Sequence, residues 1–376
     1  MKLHLIRSII IAAMLALAFP SCRGGIAWEP GQPLPKEQVT IAVIHSNLVD
    51  ADSLFDIAHY MGIFGMQKSI GLQDSQIIHK VDVHDADLAA VEIAMRDSIA
   101  SGANIIIATS WGHKEAGERL AEEYPSVVFA NINGFRHNER NLTSYAIRFY
   151  QARYLSGIAA GLKTQTGKIG FVAAMGTGNS YVTAGINAFA RGVAEVNPEA
   201  RVYVWVTHSW FDPMGENYAA HALIAFGCDV IAQHTSTMEP QMAAQRAGVW
   251  SIGSNLDASL FAPDAVITSV VPRWEKLYTR LVQSVIAGTF CTTPRFYGIA
   301  DGMVDITPVN ERLAVPEIEA AVQAARQRII DGSLSVFYGA LETNDGRIIG
   351  EEGKTLSDDV IRNSIDWYYR NVIVMR

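Results

Sequence analysis

The chain has little cysteine and no concentration of positive charge. Among its 376 residues there are three cysteines, and 30 lysines and arginines stand against 38 aspartates and glutamates. Three cysteines are too few for a disulfide framework, and neither a CxxC pair nor a cysteine-histidine cluster indicates a metal site. The basic residues are scattered, which argues against nucleic acid as a partner. We interpret Cys228 and Cys291 as small buried residues rather than as a disulfide.

Motifs for catalysis and for phosphate binding are also missing. The glycines at positions 176 and 178 form no GxGxxG or Walker pattern, so we interpret that turn as a plain helix start. No serine or cysteine lies in a nucleophile-elbow setting, and we expect no enzyme and no cofactor. No two histidines are spaced i, i+4 on one helix with a carboxylate, so we expect no metal. The histidines considered were His45, His59, His113 and His234.

Long hydrophobic runs are absent beyond the first 22 residues. A short basic region precedes the apolar segment 8–19, which is too short to span a membrane and predicts an export signal. Residues 19–22 resemble a bacterial lipobox, so Cys22 is the predicted lipidation site and an exported, membrane-anchored protein is expected. A plain cleaved signal with an incidental cysteine is the alternative. Prolines and glycines in 23–37 predict an extended tether.

Short β-branched runs alternate with amphipathic stretches such as 88–100 through most of the chain. Alternating strands and helices predict α/β architecture, here two doubly wound parallel sheets that form two lobes. We expect 38–148 in lobe 1 and 149–272 in lobe 2, with 273–376 divided between them. The predicted strands are 39–45, 77–83, 105–108 and 127–130 in lobe 1, and 168–174, 202–207, 230–233 and 250–253 in lobe 2.

The last third of the chain does not simply extend the second series. It contains predicted helices at 273–288 and 315–331, a predicted strand at 335–338 and a hairpin around 344–346. A chain that returned to lobe 1 would cross between the lobes several times and form a hinge.

The turns after the strands are rich in glycine, serine, asparagine and aromatic residues, and open α/β sheets bind ligands at that edge. An acidic residue before a helix is commonly its N-cap, and Asp52 is the expected cap. The aromatic residues could instead pack in the core, and for Trp274 hinge packing competes equally with ligand contact. The candidate ligand-binding residues are Asp52, Phe55, Asp56, Trp111, Trp210, Phe211, Asn255 and Trp274.

Several segments resemble the basic membrane protein family of bacterial substrate-binding lipoproteins, in the family's order. They are 150–161, 168–171, 187–192, 209–213, 229–231, 233–235, 331–332, 336–339 and 365–367. The resemblance implies the fold of type I periplasmic binding proteins, with three crossovers joining the lobes. It also implies capture of a small molecule, delivery to the permease of an ABC importer, and no catalysis. We expect a monomer.

Members of that family bind purine nucleosides, purine bases or riboflavin. By the resemblance, Phe55 stacks on the ligand ring and Asp56 stands where nucleoside binders have asparagine. The family's ribose-binding aspartate and lysine are replaced by Asn255 and Pro272. Because this clamp is missing and the site is rich in aromatic residues, riboflavin is the predicted ligand, and a purine nucleoside or base is the alternative.

Two other functional classes remain open. A nucleoside hydrolase would have to rely on an acidic cluster, for which Asp50, Asp52 and Asp56 are the candidates. A sensing or adhesin lipoprotein would share the fold and bind a receptor or host molecule instead.

Overall fold

A computed structural model describes residues 28–48, 53–132, 134, 136–313 and 315–375. The predicted export signal, the lipidation site Cys22 and the expected helix cap Asp52 lie outside the described residues. None of the helices in these ranges combines the length and apolar character required to cross a membrane.

Helices and strands alternate along the chain as the sequence predicts. The helices are α1 (Leu54–Ile70), α2 (Leu88–Ala100), α3 (Lys114–Glu123), α4 (Phe149–Lys163), α5 (Ser180–Val196), α6 (Pro213–Ala225), α7 (Glu239–Ala247), α8 (Trp274–Ile286), α9 (Pro316–Ile330) and α10 (Asp358–Asn363). The strands are β1 (Ile41–Ile44), β2 (Ile77–Lys80), β3 (Ile105–Ala108), β4 (Val128–Ile132), β5 (Leu142–Ile147), β6 (Lys168–Ala173), β7 (Arg201–Val206), β8 (Val230–His234), β9 (Trp250–Ser254), β10 (Val266–Pro272), β11 (Arg295–Tyr297), β12 (Val304–Ile306), β13 (Leu341–Glu342), β14 (Ile348–Ile349) and β15 (Val372–Val374).

Two separate parallel sheets form the two lobes. The first has the order β11-β5-β4-β3-β1-β2, and the second has the order β12-β10-β9-β8-β6-β7-β15. Within these two sheets, every pairing between neighbouring strands is parallel except β10 with β12. Strand order that reverses around the first strand of each lobe is the doubly wound arrangement, so the predicted α/β class agrees with the structure.

The chain passes between the lobes three times. It leaves the first sheet after β5, returns after β10 to form α8, which packs on α1, and crosses again between β11 and β12. Three connecting segments between two lobes form a hinge of the kind about which lobes rotate.

The last third differs from the sequence expectation at two points. The predicted strand at 335–338 is a turn, and its Tyr338 makes only a single bridge to Thr355. Val336 and Phe337 are buried in the core, so their apolar character reflects packing rather than sheet pairing. The hairpin around 344–346 is confirmed as β13 and β14.

Two further expectations are corrected near the surface. Cys291 is exposed rather than buried, whereas Cys228 is buried as expected, and both are free thiols. The described part of the predicted tether is not free chain. Leu34 is 3 % exposed and its N–H donates to the carbonyl of Ile286 at 3.2 Å, so this part of the chain packs against lobe 1 beside α8.

Helices α4 and α5 cross at a close glycine contact that positions the lobe 2 side of the cleft. A Cβ on Gly157 would lie 2.1 Å from the carbonyl oxygen of Phe189, and a Cβ on Gly192 would lie 2.1 Å from the carbonyl oxygen of Tyr154. Neither backbone can approach this closely with a larger residue at these positions.

We expect Gly157→Ala to lower the free energy of unfolding by about 2 kcal/mol, because the added methyl group forces the two backbones apart. Urea unfolding measures the change. The matched control is Gly178→Ala, since a Cβ on Gly178 would have no heavy atom within 4 Å. An equal loss in both variants would show that the helix contact is not the cause.

Candidate functional site

The lobes meet at the first turn of α1. Ser53 caps this helix, its side chain accepting from the N–H of Asp56, so the expected cap Asp52 is replaced by its neighbour. The N–H of Leu54 donates across the cleft to the carbonyl of Ser236, which follows β8 in lobe 2, at 2.7 Å. The first N–H groups of a helix have no partner within the helix, so this one is free to join the lobes.

The candidate stacking residue Phe55 lies directly beside this contact and is supported by other rings. Its ring packs edge to face on His59 with centroids 4.4 Å apart, and His59 stacks on Trp274 at 4.2 Å. Nδ1 of His59 hydrogen-bonds the hydroxyl of Tyr278 at 2.5 Å. The structure therefore brings Phe55 and Trp274 into one stack through a histidine that the sequence analysis did not select.

Trp274 itself is 3 % exposed, and a Cβ on Gly62 of α1 would lie 2.4 Å from its Cβ. Trp274 is therefore packed in the hinge between α8 and α1, which was one of its two expected roles. Contact of Trp274 with a ligand remains a prediction that no geometry in this structure supports.

Asp56 is buried and already bonded by its own loop. Its carboxylate accepts from the backbone N–H of Ser46 at 3.2 Å, the side-chain amide of Asn47 at 2.8 Å and the hydroxyl of Ser53 at 2.7 Å. The N–H of Asn47 also donates to it at 3.4 Å, so the roughly four acceptor positions of the carboxylate are occupied and a ligand that donates to Asp56 would have to replace one of these bonds. In this structure the carboxylate shapes the loop that leads to Phe55.

In lobe 2 the candidate Trp210 is 41 % exposed and packs edge to face against His234, with ring centroids 5.8 Å apart. Phe211 is half-exposed in the same turn, where its N–H donates to the hydroxyl of Ser209. Asn255 has a φ of +68° directly after β9, a conformation that asparagine tolerates well. Its N–H donates to the carbonyl of Val270 at 2.9 Å, which fixes that turn.

Trp111 stands apart from both aromatic groups. Its side chain is more than half exposed, and the ammonium of Lys114 lies 3.2 Å from its ring centroid. This cation–π contact occupies one face of the indole.

Arg153 on α4 is the most unusual group near the cleft, and the sequence analysis missed it. It is fully buried, and its guanidinium donates to the carbonyl of Gln233 at 2.6 Å and to the hydroxyl of Ser254 at 2.7 Å. Within the described ranges it has no acidic partner closer than 4.0 Å. Burial lowers its pKa to about 9, so it remains a cation at neutral pH. It joins the carboxyl ends of β8 and β9.

Buried histidines lie near the carboxyl edges of both sheets. Nε2 of His45 hydrogen-bonds Nδ1 of His79 at 3.0 Å, and burial with the neighbouring histidines lowers the pKa of His45 to about 3. Burial also lowers the pKa of His59 and of His234 well below 6.5. In the described part of the chain, no group of three or more histidine, cysteine or acidic side chains is placed to hold a metal ion.

Because these histidines are held neutral in the folded protein, we expect the free energy of unfolding to fall in mild acid. The folded state keeps His45 neutral, whereas the unfolded chain binds a proton below pH 6.5, so stability falls as the pH drops below that value. At pH 5.5 the cost is about 1.4 kcal/mol for each such histidine. We expect His45→Gln to reduce the difference in unfolding free energy between pH 7.5 and 5.5 by about that amount.

Urea unfolding at both pH values measures this difference. The exposed His221→Gln is the control and is expected to keep the pH dependence of the natural protein. An unchanged pH dependence in His45→Gln would contradict the assignment.

The backbone bond between the lobes gives a second prediction. Leu54 is the first residue of α1, a position at which proline is favoured, and Ser53 before it has the extended backbone that proline requires. Leu54→Pro therefore removes the N–H group and retains the helix. Loss of one hydrogen bond of about 1 kcal/mol shifts the closed-to-open ratio about fivefold towards the open form. We expect the radius of gyration of the ligand-free protein to increase in X-ray scattering.

Leu54→Ala is the matched control, because it shortens the side chain and keeps the N–H group. It should scatter like the natural protein. Equal radii of gyration in all three proteins would show that this bond does not hold the lobes together.

The geometry can be compared with known proteins. The family described as "ABC transporter substrate-binding protein PnrA-like" matches residues 39–336. A purine-binding protein of Brucella abortus is 30 % identical over 276 residues, which are 73 % of this chain and 77 % of that protein. A putative ABC transporter glucose-binding protein of Haloferax volcanii is 33 % identical over 237 residues, 63 % of this chain and 60 % of that protein.

Among solved structures, a solute-binding protein of an ABC transporter from Conexibacter woesei aligns with a TM-score of 0.65 and 22 % identity. The alignment covers 79 % of this chain and 98 % of that one, and it confirms the two-lobed α/β fold. Because the family match spans most of the chain and the Brucella relative is similar over nearly three quarters of it, the assignment is secure: the chain belongs to the PnrA-like family of ABC transporter substrate-binding proteins.

Proposed function

We propose that this protein captures a purine base or nucleoside between its lobes and delivers it to an ABC permease, without catalysis. The observation that carries the proposal is the aromatic group on each side of the cleft. Phe55 rests on His59 in lobe 1, and Trp210 rests on His234 in lobe 2. Aromatic rings stack with a gain of roughly 0.5–1.5 kcal/mol beyond burial, so a flat heteroaromatic ligand suits both sides.

Similarity supports purine over riboflavin. The sequence favoured riboflavin because the ribose clamp is missing at Asn255 and Pro272, but that absence is equally compatible with a purine base. The Brucella relative is a purine-binding protein and covers most of this chain. Purine therefore becomes the leading ligand, and riboflavin the one to be excluded.

Closure would follow from differential contact. Phe55 lies one residue from the Leu54 contact with lobe 2, so a ring that stacks on Phe55 and reaches Trp210 touches both lobes only when they are closed. Such a ligand stabilises the closed form, and we propose that the permease recognises that form.

We also propose that Cys22 carries the lipid that holds the protein at the extracytoplasmic face of the membrane. The residues between Cys22 and Leu34 would then be the length of chain that separates the lipid from lobe 1.

Calorimetric titration of the ligand-free protein with adenine, hypoxanthine, their nucleosides and riboflavin tests the proposal. We expect binding of at least one purine and none of riboflavin, and a purified protein without flavin absorbance. Binding of riboflavin alone would restore the first expectation from the sequence, and binding of none of these compounds would refute both.

We further expect Phe55→Ala to weaken purine binding about 30-fold, equivalent to about 2 kcal/mol for a lost stacking and burial surface. The matched control is Phe64→Ala on the same helix, where the phenylalanine is 61 % exposed. Its affinity should equal that of the natural protein. Equal affinities in the two variants would remove Phe55 from the site.

A further inference from the structure

His234 is the last residue of β8 and reaches the edge of the sheet at which open α/β folds bind ligands. It is 6 % exposed and surrounded by rings. Phe149 lies nearly parallel to it at 6.2 Å, Tyr181 is tilted at 5.6 Å, and Trp210 meets it edge to face at 5.8 Å. A polar heterocycle in such an apolar setting is costly unless its nitrogens find partners.

The two nitrogens of this ring have different surroundings. Nδ1 is buried and has no hydrogen-bond partner among the described residues. A Cβ on Gly185 of α5 would lie 3.5 Å from Nδ1 and 3.7 Å from Cγ of Arg153, so Nδ1 shares its side of the ring with that arginine. Nε2, in contrast, is not among the fully buried nitrogens and forms no hydrogen bond with the described residues, so this nitrogen remains accessible.

The positive charge of Arg153 acts on the imidazole of His234. Burial and then the positive charge of Arg153 lower the pKa of His234 well below its ordinary value, so the ring is neutral at physiological pH. Arg153 and Tyr181 are the titratable groups that face it from α4 and α5. Because the stem of Arg153 lies on the Nδ1 side of the ring, the arrangement that its charge favours is a lone pair on Nδ1 and a proton on Nε2.

We propose that Nε2–H of His234 donates a hydrogen bond to an unprotonated ring nitrogen of the bound purine, and that Arg153 is a positioning residue that fixes this donor. The inference rests on the proposed function and adds a specificity-determining contact to it. Purines offer such acceptors on both of their rings, whereas their C–H positions offer none. The same ring would also support Trp210 as it stacks.

The experiment replaces one ligand nitrogen at a time. Calorimetry compares adenine with its 1-deaza, 3-deaza and 7-deaza analogues, and hypoxanthine with its 3-deaza and 7-deaza analogues, in each of which a C–H stands where the acceptor was. We expect one of these replacements to weaken binding to the natural protein about tenfold, equivalent to about 1.4 kcal/mol.

The variant His234→Phe keeps an aromatic ring among Phe149, Tyr181 and Trp210 and removes the donor. The deaza penalty should disappear in this variant, while a merely structural role of His234 would weaken the parent purine and the analogue equally. Arg153→Met, which keeps an aliphatic stem without the charge, should shrink the penalty because either nitrogen can then carry the proton.

The outcomes separate the two proposals. A natural protein that binds purines with no deaza penalty, or with a penalty retained in His234→Phe, overturns the inference and leaves the proposed function standing. A natural protein that binds none of the purines overturns the proposed function and the inference with it.

Discussion

The lobe 2 side of the cleft depends on one buried cation. Arg153 sits on α4, the first helix after the chain crosses from lobe 1, and it bonds the ends of two neighbouring strands at Gln233 and Ser254. A charge without an acidic partner is expensive to bury, so its place must be secured by the surrounding packing. The glycine contact between α4 and α5 is part of that packing, and α4 also packs on β9 and β10.

The two lobes solve the same problem in similar ways. Each has an aromatic side chain at the cleft that packs edge to face against a buried histidine. Phe55 packs against His59 in lobe 1, and Trp210 packs against His234 in lobe 2. A neutral imidazole combines a flat apolar face with hydrogen-bonding nitrogens, which an aliphatic residue cannot offer. Burial keeps both of these histidines neutral in the physiological pH range.

Periodicity was sufficient to predict the architecture because the core consists of strands whose burial follows directly from composition. Helix α2 matches its predicted limits of 88–100, and most strand boundaries differ by one to three residues. The predicted strand at 335–338 failed because local β-propensity cannot reveal whether a partner strand lies alongside. The exchange of Ser53 for Asp52 at the cap of α1 is a similar case, since both residue types cap helices equally well.

The site was less accessible from sequence. Phe55 and Trp210 follow strands and were found by that position, but the roles of His59, Arg153 and His234 depend on contacts between distant segments. The apolar and small residues around Arg153 indicate a buried helix, but only the fold shows which strands its guanidinium reaches.

The bond from Leu54 to Ser236 is formed by backbone atoms alone. Side-chain substitutions in the cleft can therefore alter which molecule is held without changing this part of the attraction between the lobes. Among relatives named for solutes as different as a purine and glucose, such a separation lets selectivity change by substitution of side chains while the backbone contact between the lobes is kept.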